Sequence, residues 1–235
     1  MGQGIQQAPV AQSGGNAWLD VFKVLFEPGA VFERVRDKPN ILAPYVIIMA
    51  VQLVLLFVNM SYTMVAVGAQ ATAAGRPAPS AGMIAGFSVV GLVVFLTLVL
   101  LVNGLILWVL TSMLGSGESK FSTLLSVCLY GAVPAAMLLS IIGTVVLHLK
   151  GTSGITSPQD LQPALGLDLL VPGAKGFMGA VLKGLNPFSI WGLVLTAIGV
   201  STTQRVSKGT GYTIATIAFV IGLLIAGSIG AIFSR

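Results

Sequence analysis

The sequence predicts an all-α, polytopic membrane protein, a bundle of five transmembrane helices preceded by a short amphipathic helical hairpin. Three observations predict it. Only 8% of the 235 residues are charged, 55% are hydrophobic and the mean hydropathy is +0.96, whereas a soluble domain carries about a quarter charged residues. Five apolar stretches approach or exceed the ~20 helical residues that cross a bilayer. All seven carboxylates and all twelve Lys and Arg residues fall outside those stretches.

Residues 1–15, "MGQGIQQAPVAQSGG", lack the basic start and apolar core of a signal peptide and read as a disordered tail. Gln6 stands where a myristoylation signal wants Ser or Thr. Residues 16–40 read as amphipathic interfacial helices. Trp18, Val21, Phe22, Leu25 and Phe26 recur at i, i+3, i+4, i+7 and i+8, one helical face, with Asp20, Lys23 and Glu27 assigned to the opposite side. Asn16 can cap this first helix. Pro28 can begin a second carrying Val31, Phe32 and Val35, and Pro39 ends it. Trp18, Phe22, Phe26, Pro28 and Phe32 are the candidate contacts. The hairpin either rests on the membrane surface or docks a soluble partner, and the two are compatible.

Residues 41–235 form the transmembrane domain, with spans near 41–67, 83–114, 121–149, 188–203 and 212–233. The second and third exceed the minimum length and should tilt or protrude. The fourth is the shortest. Segment 68–82 is small and Pro-rich, as in an exposed loop, and "GSGESKF" (115–121) is a tight turn between antiparallel neighbours. The long loop 150–187 contains "AKGFMGAVLKGL", where Phe177, Met178, Val181, Leu182 and Leu185 fall at helical spacing. That pattern predicts a short helix lying in the interface.

Basic residues orient the chain. An internal N-terminus places Lys23, Arg34, Arg36, Lys38, Lys120, Arg205 and Lys208 in the cytoplasm, against Arg76, Lys150, Lys175, Lys183 and Arg235 outside. Arg34, Arg36 and Lys38 directly precede the first span, where charge counts most. The expectation is a multi-pass protein of a prokaryotic cytoplasmic membrane, N-terminus inside and C-terminus outside. The dispersed basic residues give no nucleic-acid patch; membrane lipids are the expected surroundings.

The inventory for chemistry is sparse. Without intramembrane ionisable groups, a proton-coupled transporter or a voltage sensor is disfavoured. His148 and Cys128 are twenty helical residues apart, ~30 Å, and cannot share a metal or form a nucleophilic pair. An enzyme would require His148, Asp160 and Asp168 to converge. No catalytic, cofactor or metal residue is assigned. The uncharged intramembrane polar residues are Gln52 and Asn59, on one face of the first span, and Asn103 in the second. They serve either interhelical hydrogen bonding or a polar path. Small residues at every fourth position, Ala132, Ala136 and Ser140 in the third span and Gly222, Ala226 and Gly230 in the fifth, allow close packing within the chain or in a homo-oligomer. Pro134 should kink the third span beside Tyr130.

Three stretches carry a family resemblance. "WLDVFKVLFEPGAVFERVRDKP" resembles the start of the bacterial branch of the Yip family, five-span membrane proteins. "LGSGESKFSTLLSVCLYGAVPAAM" is similar to the family's Gly-rich turn followed by a Tyr and a Pro four residues on, here Tyr130 and Pro134. The third is "NPFSIWGLVLTAIGV", with Asn186, Pro187, Phe188 and Trp191. The resemblance implies five spans, a cytosolic N-terminus, an outward C-terminus and a non-enzymatic role. Eukaryotic members bind small GTPases, but this chain lacks their Asp-Leu-Tyr-Gly-Pro signature, so the resemblance carries the fold more than that partner.

Asn-Pro-Phe can also be a peptide signal, yet Asn186 and Pro187 are the residue types that cap and begin a helix. Trp191, one turn in, suits an interfacial anchor. The functional expectation is therefore membrane organisation or recruitment of a membrane or peripheral partner through residues 16–40. Deleting residues 1–38 is expected to leave a folded, inserted protein. The alternative is a small transporter or channel for an uncharged or lipid-like substrate, with a cavity near Asn59 and Asn103.

Overall fold

The computed structural model describes residues 16–115 and 119–233; the expected tail and the centre of the 115–121 turn lie outside them. The described chain is helical, without strands. Its elements are α1 (Ala17–Lys23), α2 (Pro28–Asp37), α3 (Leu42–Val58), α4 (Met60–Ala73), α5 (Ala81–Leu114), α6 (Phe121–Val133), α7 (Ser140–Lys150), α8 (Gly176–Gly184), α9 (Pro187–Gln204) and α10 (Lys208–Phe233). Three helices are long and apolar enough to cross a bilayer: Ala81–Leu114, Phe121–Lys150 and Lys208–Ile232. Two bent pairs, α3 with α4 and α8 with α9, qualify when each is taken together, so the spans number three to five.

The centre of the bundle is α6 with α7. Half of its most apolar window is buried, against 11% for α5 and 17% for α10, which therefore face outward. Glycine makes this central packing possible. A Cβ on Gly192 of α9 would stand 2.6 Å from the carbonyl oxygen of Gly131 in α6, so the two backbones cross in contact. Pro134 produces the predicted distortion as a π-helical segment, Pro134–Leu139, joining α6 to α7.

The first span differs from expectation. Instead of one helix over 41–67, the chain bends by 64° at Asn59, and α4 runs on to Ala73 into the expected loop. The bend is held from outside the helix. Asn59 Nδ2 donates to Thr144 Oγ1 at 2.9 Å, and Thr63 Oγ1 donates to the Asn59 carbonyl at 3.1 Å. Two turns earlier in α3, Gln52 Nε2 donates to the Ala136 carbonyl, within the π segment, and to Ser140 Oγ at 2.9 Å. Ala136, Ser140 and Thr144 are four apart, so the small-residue face of the third span receives α3 within the same chain.

Segment 176–184 forms the expected short helix. It packs along the last half of α10. A Cβ on Gly230 would meet Ala180 Cβ at 2.8 Å, and one on Gly227 would meet the Phe177 ring at 2.7 Å. With α9, from which it is bent by 63°, α8 adds up to 27 helical residues (9 and 18) opposite the 26 of α10. Taken together, the bent pair is long and apolar enough to cross a bilayer. The α10 stripe is correspondingly divided, with Gly230 against α8 and Ala226 exposed.

The hairpin is part of the core. Val21, Val24, Val31, Phe32 and Val35 are all buried in one cluster with Tyr130, Val127, Leu195 and Val200 of α6 and α9. A Cβ on Gly199 would lie 2.9 Å from the Phe32 ring, so this glycine makes the recess that the ring fills.

Candidate functional site

Two features stand beyond what packing requires, the outer edge of α1 and a cavity inside the bundle. The α1 edge follows from its local sequence. Asn16 Oδ1 accepts from Trp18 N at 3.1 Å, the predicted cap. The helix is only seven residues long, and Val24–Phe26 form a turn. The expected single stripe therefore divides. Val21 and Val24 turn inward, while Trp18 (45% exposed), Leu19 (53%), Phe22 (48%) and Phe26 (80%) turn outward. Pro28 begins α2 half-buried. Phe32 corrects the contact assignment: it is fully buried, edge-on to Tyr130 at 6.3 Å between ring centroids, and can touch no partner.

Asp20 is a second correction. Rather than pointing to solvent, it is 5% exposed and chelated by Arg34, with Nε donating to Oδ2 at 2.9 Å and Nη2 to Oδ1 at 2.6 Å. The hydrogen bond to Asp20 raises the Arg34 pKa, with desolvation opposing and the Asp20 charge adding to it. Across that pair, Tyr130 Oη donates to the Ala17 carbonyl at 3.4 Å. The exposed edge is thus presented by a clamped helix. Sequence reading missed the pair because Arg34 was weighed only for topology. The available signal was an acid set between Leu19 and Val21 with a basic residue on the facing helix.

The cavity, of about 410 Å³, lies among α5, α6, α9 and α10, within the ~300–1,000 Å³ of small-molecule sites. Of the expected intramembrane polar residues it contains Asn103. Gln52 and Asn59 are engaged with the π segment and α7 instead, and Asn59 Oδ1 is buried without a partner. Asn103 is eleven residues from the end of α5, ~17 Å along its axis. Its Nδ2 donates to the Val99 carbonyl at 2.8 Å. Cys128 also lines the cavity, its Sγ 3.9 Å from the Leu100 carbonyl.

Asn186 is buried and works on both sides of the α8–α9 bend. Its Oδ1 accepts from Ser189 N at 2.9 Å, the predicted cap, while Nδ2 donates to the Lys183 carbonyl and to Ser189 Oγ, both at 2.9 Å. Pro187 takes the first helical position, Phe188 is half-buried, and Trp191 packs partly buried on the main core.

The three side chains an enzyme would need have separate partners. His148 Nδ1 lies 2.9 Å from the Thr144 carbonyl, and its ring stacks tilted on Tyr62 at 4.6 Å. Burial alone would raise the Asp160 pKa. Hydrogen bonds from the backbone N–H and hydroxyl of both Thr156 and Ser157 outweigh it and hold the carboxyl below its ordinary value. Asp168 Oδ1 accepts from Gly166 N at 2.9 Å. Among the described residues, no three His, Cys, Asp or Glu side chains converge as a metal set.

A helical bundle with three to five apolar spans, its polar side chains used between helices, defines a multi-pass integral membrane protein. The chain belongs to the Yip1 domain family, whose domain matches residues 22–229. That range runs from the hairpin to the last helix. The chain is also 26% identical over 215 residues to membrane protein YknW of Bacillus subtilis (strain 168), covering 89% of this chain and 88% of that protein. No solved structure matches it.

Proposed function

We propose that this protein is a non-catalytic membrane protein that recruits a partner protein to the membrane surface through the outer edge of α1. The observation carrying this reading is that Trp18, Leu19, Phe22 and Phe26 stay exposed on a helix whose other face is locked into the core. Locking matters because a contact surface held rigid loses less entropy on binding. Aromatic anchors on such a surface supply most of the binding energy at protein interfaces. Arg34, Arg36 and Lys38 favour a cytoplasmic location for this edge, where soluble partners are available.

The test uses a photo-crosslinking amino acid at Leu19 in native membranes, between the three aromatic residues. The expected result is a protein adduct that disappears in the Trp18→Ser/Phe22→Ser/Phe26→Ser variant, which keeps its core and insertion. Adducts to lipid alone, or a protein adduct that survives the triple substitution, would overturn it. A second reading, passage of an uncharged or lipid-like substrate, is favoured by the cavity at Asn103. It requires that such a molecule enter the cavity, which the experiment below reads.

A further inference from the structure

The cavity at Asn103 has a chemistry specific enough to name what fits it. Among the described residues, no Lys, Arg, His, Asp or Glu lines it, so a charged ligand would lose its hydration with nothing among them to replace it. Most of the wall is aliphatic or aromatic, including Leu96, Leu100, Leu107 and Phe219. That surface suits a hydrocarbon chain.

One amide oxygen of the wall has no donor among the described residues. The Asn103 amide is oriented by its own helix, because the Val99 carbonyl can only accept and so takes the Nδ2 donor. No donor among the described residues reaches Asn103 Oδ1. Two other polar wall side chains each already hold one partner: Thr196 Oγ1 donates to the Gly192 carbonyl at 2.8 Å, and Ser189 Oγ accepts from Asn186 at 2.9 Å. An acceptor without a donor in an apolar setting costs free energy that a ligand hydroxyl recovers.

Gly222 keeps that oxygen open. A Cβ placed there would meet only Asn103 Oδ1, at 3.5 Å, and nothing else within 4 Å. Gly131 and Gly192, by contrast, are used up by the α6–α9 crossing. Position 222 is therefore free of a helix-packing duty and faces the unfilled amide oxygen of Asn103 from the opposite helix.

We infer that this cavity binds a single uncharged, chain-like lipid whose hydroxyl donates a hydrogen bond to Asn103 Oδ1. The inference concerns occupancy alone. It goes beyond recruitment through α1, and it holds whether or not anything crosses the membrane.

The full-length protein in phosphatidylcholine nanodiscs tests it with two probes, hexadecanol bearing a diazirine near its chain end and the matching methyl ether, which lacks the donor. The expected result is labelling of cavity-wall residues on α5, α6 and α10, with the alcohol favoured over the ether roughly three- to tenfold, the worth of one hydrogen bond. Asn103→Leu should keep both adducts and abolish the preference. Gly222→Leu fills the space and should abolish both adducts, with the thermal unfolding midpoint verifying that the bundle remains folded. Equal labelling by alcohol and ether in the unaltered protein overturns the inference, as does alcohol labelling that persists in Gly222→Leu. Protein crosslinking from position 19 in Gly222→Leu reads the recruitment proposal separately, so either can fail alone.

Discussion

At the scale of single residues, Asp20 and Arg34 show how a pattern can be read correctly and a partner missed. The helical period around Trp18 was visible, but period alone cannot say which flank of a broad stripe turns inward. That is decided by the fold: Val21 and Val24 join the main cluster, Asp20 is buried beside Arg34, and the Phe32 ring needs the recess at Gly199. Because Asp20 is 5% exposed, Arg34→Ala leaves a buried charge without its counter-charge. The expected cost is about 2–3 kcal/mol, below the full ~3–5 kcal/mol for breaking a buried pair because Arg34 itself is partly exposed. A fall in the chemical-denaturation midpoint checks it, and Arg34→Lys should recover only part, since an ammonium cannot chelate both oxygens. The sign of any pH effect follows from the raised Arg34 pKa. Its contribution is whole below the ordinary guanidinium value and is lost only as pH rises through a still higher one. The clamp is therefore constant across the neutral range.

At the scale of elements, composition was enough to reveal the apolar stretches, because hydropathy is a property of local sequence. The two bends are not legible, since each depends on a contact with a distant part of the chain. Asn59 bonds Thr144, 85 positions away, and α8 lies close along α10 only because the glycines of α10 admit it. Asn186 was legible as a cap but not as the closure of a bend, because its donor side faces the preceding helix. Asn186→Ala should remove both functions, leaving Ser189 N and the Lys183 carbonyl unpaired, for about 1–3 kcal/mol. Asn186→Asp keeps the acceptor for Ser189 N and loses the donor, so its unfolding temperature in detergent should fall between those of the other two. An Asp variant as unstable as Ala would show that the cap contributes nothing at this bend.

At the scale of the whole molecule, the hairpin changes from appendage to structural layer. The sequence expectation treated residues 16–40 as separable because they are amphipathic and precede the first span. Yet amphipathicity is equally the mark of a helix whose apolar face belongs to a core, and the arrangement here is of that second kind. Deleting residues 1–38 removes Val21, Val24, Val31, Phe32 and Val35 from the main cluster and uncovers Tyr130, Val127 and Val200. Loss of a buried Phe alone costs about 3–5 kcal/mol, a large share of the ~5–15 kcal/mol that holds a typical protein folded. The truncated chain should still insert, because α5, α6–α7 and α10 are apolar enough on their own, but limited proteolysis should cut it where the intact chain resists. The triple serine variant at positions 18, 22 and 26, which alters only exposed side chains, should resist as the intact chain does. Equal resistance of the truncated chain would show that α1 and α2 are not needed by the bundle, and the rigid presentation on which recruitment depends would lose its physical basis.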